Sequence, residues 1–271
     1  MPTTPIQLGI AGAAGRMGRR LIAFAAEQPD IFALASAIDA PNCPDLGQDA
    51  GTLAGVKPAG VALTATLAGN PQVIIDFSAP AATRVLLRQC VERQIALLIG
   101  TTGLTADDHA LIDQAGLTIP VLQATNMSLG VNVLLAVAAQ IARQLGPAYD
   151  IEIVEAHHNQ KKDAPSGTAL SLAEAICQAT GRNMQTDLVH GRHGHDAKRI
   201  PGTIGMHALR MGDVVGEHTV YYAAAGERIE LKHVASTRDT FARGALRAAQ
   251  FTANAKPGRY TMADVLGLQT P

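Results

Sequence analysis

The sequence predicts an α/β chain in two parts: a parallel sheet covered by helices on both faces, then an α+β part with a mixed, open sheet. Three observations predict it. Strand-length apolar runs alternate with helical segments through the first 127 residues. Those runs are continuously apolar rather than alternating, which marks strands buried on both faces. Beyond residue 200, three β-rich stretches follow one another across short turns, the spacing of antiparallel neighbours.

In chain order, Ile6 to Ala11 reads as a strand, Gly12-Ala-Ala-Gly15-Arg-Met-Gly18 as a turn, and Arg19 to Gln28 as a helix with Leu21, Ile22, Phe24 and Ala25 on one face. Phe32 to Ile38 is a second strand, stopped after Asp39 by Pro41, Asn42 and Pro44. Val73 to Phe77 is a third, leading to Ser78 as N-cap and a helix from near Pro80 to Glu92. Ile95 to Ile99, the turn Gly100-Thr-Thr-Gly103, a capping-box start at Thr105 to Asp108, and a strand at Val121-Leu122 repeat the unit. A long helix follows from Leu129 to Leu145, then a strand from Ile151 to Ala156 and a helix from Thr168 to Ala179. The β-rich stretches are Thr203 to Arg210, Val214 to Tyr222 and Arg228 to Val234, and a last helix runs from Thr240 to Asn254. The expected division is 1–127, 128–238 and a C-terminal segment, 239–271, that returns to the first part; hinges are expected at Met127–Leu129 and Ser236–Thr240.

Composition narrows the function classes. With 22 basic against 23 acidic residues and no run of either sign, nothing provides a sequence-independent hold on nucleic acid. The N-terminus lacks the basic and apolar regions of a signal peptide, so a cytoplasmic protein is expected. Val131 to Ala142, broken by Asn132 and Gln140, reads as a buried helix too short for a bilayer, so no membrane partner is expected. Cys43, Cys90 and Cys177 form no close pair and read as reduced, buried thiols.

The glycine turn is the first chemical signal. Gly12, Gly15 and Gly18 follow a strand and open a helix, where a pyrophosphate must approach the backbone and meet free N–H groups. Their spacing, G-x-x-G-x-x-G, departs from G-x-G-x-x-G. The context restores the reading, because Asp39 lies at the end of the second strand, where a ribose hydroxyl would be bound. The first part is therefore expected to be a Rossmann-type dinucleotide-binding domain. A carboxylate at Asp39 accepts from the 2′-OH of NAD and repels the 2′-phosphate of NADP; Ala40 supplies no guanidinium to offset this. NADH is the expected cofactor, with NADPH possible through Arg16.

The second signal is Glu155-Ala-His157-His158-Asn-Gln-Lys161-Lys162-Asp163-Ala-Pro165-Ser166-Gly167-Thr168-Ala169, running from a strand into a helix. Reducing a C=C or C=N bond takes a hydride and a proton, and His157, His158 and Lys161 are candidate proton donors near neutral pH. Ser166, Gly167 and Thr168 at a helix start offer N–H groups and hydroxyls to a carboxylate. In isolation, two adjacent histidines and a lysine are more often a solvated polar loop than a site.

This run resembles the signature of the 4-hydroxy-tetrahydrodipicolinate (dihydrodipicolinate) reductases of the diaminopimelate route to lysine. The resemblance extends through Gly12 to Gly18, Asp76-Phe-Ser78, Ile99 to Gly103, Asn126 to Asn132, Pro201 to Gly205 and Gly212 to Thr219. It implies that His157 is the catalytic acid/base and Lys161 the proton donor, with His158, Gly167 and Thr168 binding substrate. It places cofactor contacts at Gly12, Ala13, Ala14, Gly15, Arg16 and Met17, at Asp39, at Gly100, Thr101 and Thr102, and at Ala124, Thr125, Asn126 and Met127. The implied reaction reduces 4-hydroxy-tetrahydrodipicolinate, a small dicarboxylate, to tetrahydrodipicolinate with loss of water. The implied assembly is a homotetramer formed through the sheet of the second part. The chain lacks the Arg that some members place after the acid, and Met127 stands where an aromatic residue is common.

No metal is expected, since His190, His193 and His195 lack a carboxylate or Cys at ligand spacing. Lys198, Arg199 and Arg210 read as a solvated face, and Arg238 as a possible aid to cofactor or substrate. Two other functions fit the first part alone: an amino-acid or semialdehyde dehydrogenase, and a non-catalytic dinucleotide sensor. The first would favour a reactive cysteine in a site loop, and the second would not need the His/His/Lys segment.

Overall fold

The structure, a computed structural model, describes residues 4–268. The elements run β1 (Ile6–Ala11), α1 (Arg16–Ala26), β2 (Phe32–Ile38), α2 (Ala50–Leu53), β3 (Leu63–Thr64), β4 (Val73–Asp76), α3 (Pro80–Arg93), β5 (Ala96–Ile99), α4 (Ala106–Gly116) and β6 (Pro120–Gln123). They continue with α5 (Leu129–Leu145), β7 (Asp150–His157), α6 (Gly167–Thr180), β8 (Leu188–His190), β9 (Ile204–Arg210), β10 (Gly216–Ala224), β11 (Glu227–Ala235), α7 (Asp239–Thr252), β12 (Gly258–Tyr260) and α8 (Met262–Leu266). The described chain divides into two compact units: residues 4–128 with Asp239–Leu266, and Leu129–Arg238 with residues 267–268.

The first unit is a seven-stranded sheet in the order β12-β6-β5-β4-β1-β2-β3, with every neighbouring pair parallel. Continuous apolar runs make this possible: all four residues of β4 and of β5 are buried, because helices cover both faces. α7 packs beside α1 and over β4, β5 and β6, while α3 and α4 pack together over β5 and β6. Right-handed crossovers put α1 and the α3/α4 pair on opposite faces. Ile10, Ile74 and Leu97 are wholly buried, worth about 2 kcal/mol apiece. Strand order reverses at β1, which has β2 on one side and β4 on the other; that is where doubly wound sheets open a ligand crevice.

The second unit has a five-stranded sheet, β11-β10-β7-β9-β8. Its β7/β10 and β10/β11 pairs are antiparallel, and its β7/β9 and β8/β9 pairs parallel. Helices α5 and α6 cover one face, burying Leu134, Ala138, Leu172 and Ile176 against Ile151, Ile153, Ile204, Met206, Val220 and Tyr222. The Tyr222 hydroxyl donates to the Ala138 carbonyl at 2.6 Å, satisfying the one polar atom of a fully buried ring.

The expected α/β architecture is present, with differences: β9 and β10, expected as antiparallel neighbours, are separated by β7, which pairs in parallel with β9 and antiparallel with β10. Helix α1 starts at Arg16, not Arg19, because Gly15 is already its N-cap. Ser78 does not cap α3; Ala79 occupies that position without a side-chain bond, since Asp76 two residues earlier takes the Ser78 hydroxyl. Cys43 is half-buried, unlike Cys90 and Cys177. Leu129–Ala148, α5 with the turn after it, is by length and composition long and apolar enough to cross a bilayer, contrary to the sequence expectation. In this fold, Leu134, Ala138 and Ala142 of that helix lie in the core of the second unit.

Candidate active site and dinucleotide cradle

In the first unit, Gly12 and Gly18 are required by space. Gly12 has φ +74°, and a Cβ there would lie 2.5 Å from the Phe77 carbonyl oxygen; one on Gly18 would lie 2.2 Å from the Gly12 carbonyl oxygen. The turn is tied to the next strand, since Gly12 and Ala13 donate their N–H groups to the Ile38 carbonyl at 2.9 and 3.0 Å. Asp39 accepts from the Ala14 N–H at 2.8 Å on one oxygen and from the Ala40 N–H at 2.8 Å on the other. A carboxylate has about four acceptor sites, so each oxygen keeps capacity for a hydroxyl. Arg19 donates to the Ala14 carbonyl at 2.8 Å and pairs with Asp45 at 2.9 Å, bracing the turn from outside. No side chain caps α1, so its first-turn N–H groups, at Arg16 and Met17, remain for an anion. A pyrophosphate fits this cradle: small residues where backbone is close, uncommitted donors at a helix start, and a carboxylate at the neighbouring strand end.

The other expected cofactor residues gather at the ends of β4, β5 and β6. The Gly100 N–H donates to the Asp76 carbonyl at 2.9 Å, and the Ala124 N–H to the Ile99 carbonyl at 3.1 Å. Thr101 is buried, its hydroxyl oxygen accepting from the Ser78 N–H at 3.1 Å, so it braces the loops from within. Thr102 and Thr125 are exposed, Met127 is buried, and Asn126 accepts from the Ser128 N–H at 2.9 Å. Asp76, not anticipated as a site residue, holds this end together. It is fully buried and accepts from the Ser78 N–H at 3.0 Å, the Ser78 hydroxyl at 2.5 Å and the Thr83 hydroxyl at 2.5 Å. Burial nonetheless holds its carboxyl above the usual range.

In the second unit, the helix-covered face of the sheet changes character along its strands. Ile151 and Ile153 of β7 face the core; two and four residues further on, the alternation puts Glu155 and His157 on the same face. Strand register brings His218 of β10 opposite Glu155, and Arg210 of β9 beside His157. Glu155, fully buried, accepts from His157 Nδ1 at 2.6 Å, from both terminal nitrogens of Arg210 at 2.9 Å each, and from the Ser166 N–H at 3.0 Å. Burial opposes its charge, but the Arg210, His157 and Ser166 bonds outweigh that, and its carboxyl sits below the usual range.

An ionised Glu155 can only accept, so His157 Nδ1 carries the proton and Nε2 presents the exchangeable site. Burial lowers the His157 pKa, Glu155 opposes that, and Lys161 and Arg210 push it lower still. Gly216 keeps Nε2 accessible, since a Cβ there would stand 3.2 Å away. Lys161 pairs with Asp163 at 2.9 Å, and its N–H donates to the His158 carbonyl at 3.1 Å. His158 is half-buried and Gly167 exposed at the start of α6; Ser166 is the N-cap, its hydroxyl accepting from the Ala169 N–H at 3.3 Å. The second unit thus brings together His157, Lys161 and Ser166, along with three residues not expected in the site from sequence: Glu155, Arg210 and His218. Arg210 and Arg199 are not a solvated face. Arg210 is bound to Glu155, and Arg199 pairs with Glu152 and Asp150 at 3.1 Å each. Strand pairing, which a single sequence does not reveal, is what assembles them.

Sheet order and glycine turn define the class: a two-unit pyridine-nucleotide oxidoreductase. Within that class the sequence fixes the family. The family models described as "Dihydrodipicolinate reductase, N-terminus" and "Dihydrodipicolinate reductase, C-terminus" match residues 6–127 and 130–266, and the chain belongs to this family. It is 50% identical over 266 residues to a 4-hydroxy-tetrahydrodipicolinate reductase of Alkalilimnicola ehrlichii, covering 97% of this chain and 99% of the relative. Against the enzyme of the same name from Anaeromyxobacter sp. the identity is 47% over 268 residues, covering 98% and 99%. Among solved structures, the dipicolinate-bound dihydrodipicolinate reductase from Paenisporosarcina sp. TG-14 shares the fold with a TM-score of 0.73 at 21% identity, covering 96% of this chain and 99% of that one.

Proposed function

We propose that this chain reduces 4-hydroxy-tetrahydrodipicolinate to tetrahydrodipicolinate with loss of water, in the cytoplasmic diaminopimelate route to lysine, using NADH in preference to NADPH. The observation that carries the reading is the buried Glu155–His157 contact at 2.6 Å, beside a loop that presents Lys161 and a helix start. The relatives named above support the substrate.

The glycine turn from Gly12 to Met17, Asp39 and the loops at Gly100–Thr102 and Ala124–Met127 would hold the dinucleotide, which when bound supplies hydride. Asp39, with Ala40 beside it, favours a ribose hydroxyl over a phosphate. The N–H groups of Gly167 and Thr168 and the Ser166 hydroxyl grip one substrate carboxylate at the positive end of α6. His158 meets the other. Lys161, in the loop between His158 and Ser166, would give up a proton from Nζ to the substrate. His157, fixed by Glu155, takes up or releases a proton at Nε2 as water leaves.

The sheet face that carries Glu152 also carries Leu209 and Val234, exposed to 46% and 50%, which supports assembly of a homotetramer through it. The test of function is NADH oxidation with substrate made freshly by the preceding pathway enzyme. Consumption that depends on that substrate supports the reading; none at any substrate concentration overturns it.

A further inference from the structure

His218 has no part in the chemistry above, yet it is 4% exposed at the centre of the polar end of the sheet. It stands opposite Glu155 on one side and His233 on the other, with its ring edge-on to His157 at 5.2 Å and 74°. Its Nε2 lies 3.1 Å from the Ser166 hydroxyl oxygen. That hydroxyl has one hydrogen and two lone pairs, and one lone pair already takes the Ala169 N–H. Two arrangements remain. Either the serine donates its only hydrogen to His218, or His218 donates to the serine and leaves that hydrogen to point elsewhere.

The other ring nitrogen decides between them. His218 Nδ1 is buried with no partner among the described residues, and the same holds for Nδ1 of His233. A proton on His218 Nδ1 would be an orphaned buried donor, which folded proteins avoid more strictly than an unfilled acceptor site. Burial, with His157 adding to it, pushes the ring's pKa down to about 4, so near neutral pH it carries a single proton. That proton belongs on Nε2.

We propose that His218 is a positioning residue for substrate, donating from Nε2 to Ser166 so that both serine lone pairs are filled and the hydroxyl hydrogen is directed at the substrate carboxylate. The inference rests on the reading that Ser166 grips that carboxylate. Clamped at its N–H by Glu155 and at its oxygen by His218, Ser166 is held before substrate arrives.

The test separates the two readings. Ser166→Ala should raise KM for substrate, and the Kd of dipicolinate as a stable probe, by roughly tenfold or more, the loss of one hydrogen bond to a charged group. His218→Leu should raise both by at least about fivefold with kcat within about threefold. The double variant should be no worse than Ser166→Ala alone, and His218→Gln, which keeps a donor near the Nε2 position, should restore KM to within about twofold. Nitrogen-15 NMR of the wild-type ring should show a protonated Nε2 and a bare Nδ1, a result that holds even if His218→Leu does not fold. An unchanged KM in Ser166→Ala removes the serine from the substrate site and the inference with it. Multiplying effects in the double variant, no effect of His218→Leu, no rescue by Gln, or a protonated Nδ1 overturns the inference and leaves the proposed reaction standing.

Discussion

Glu155 Oε2 lies 2.6 Å from His157 Nδ1, and the same carboxylate binds Arg210 through both of its oxygens. One fully buried acid therefore sets the tautomer of the proposed acid/base and neutralises a guanidinium. Glu155→Gln should be damaging in two ways. An amide can donate to Nδ1 and so move the ring proton to Nε2, lowering kcat by at least about tenfold. Removing one partner of a buried pair should also cost about 3 kcal/mol of stability. Steady-state kinetics and urea denaturation measure the two effects, and wild-type behaviour in both would show that Glu155 does not orient His157.

His218 makes folding stability depend on pH. The unfolded imidazole binds a proton near pH 6.5 and the folded one only near pH 4, so between these values the unfolded chain holds more protons. Stability from this group is complete above pH 6.5 and falls as pH drops toward 4, by at most about 3 kcal/mol. Denaturation midpoints at several pH values should show a shallower acid limb for His218→Gln than for wild type. Parallel limbs would contradict the burial argument.

The glycine turn predicts a ranking. Gly12→Ala meets both a positive φ and a carbonyl oxygen at 2.5 Å, whereas a Cβ at Gly15 would meet its nearest neighbour at 3.1 Å with φ −72°. Gly12→Ala should weaken NADH binding by at least about tenfold and lower Tm, with Gly15→Ala milder in Tm. Fluorescence titration of NADH and thermal melts check this; equal melts would mean the turn is less confined than it is here.

Much of this was legible in the sequence. The strand, turn and helix order of the first unit followed from continuous apolar runs, and the glycine turn and the His157–Thr168 loop stood out by residue type. What was hidden lies in strand pairing. Arg210 is 55 residues from Glu155 and His218 is 52 from Ser166, and only the β7–β9 and β7–β10 registers join them. Ser78 misled because a good capping residue was captured by Asp76, a tertiary competitor that local propensity does not weigh. Arg199, in the loop before β9, and Arg210, at the end of β9, misled because basic residues read as solvated until Glu152 and Glu155 are placed beside them.

Asp39 carries the cofactor preference. Wild type should show kcat/KM for NADH above that for NADPH, and Asp39→Ala should lose about tenfold with NADH while NADPH is spared or improved. The variant also loses the bond to the Ala14 N–H, so some loss common to both cofactors is expected. Equal efficiency of the two cofactors in wild type would contradict the assignment.

The account stands most directly on Lys161, whose Nζ lies 2.9 Å from Asp163 in the loop between β7 and α6. With saturating NADH and freshly made 4-hydroxy-tetrahydrodipicolinate, Lys161→Ala should show kcat lowered by at least about a hundredfold, the range for losing a general acid, with the Kd of NADH unchanged. A variant that turns over at the wild-type rate would contradict the proposal that this ammonium group supplies the proton.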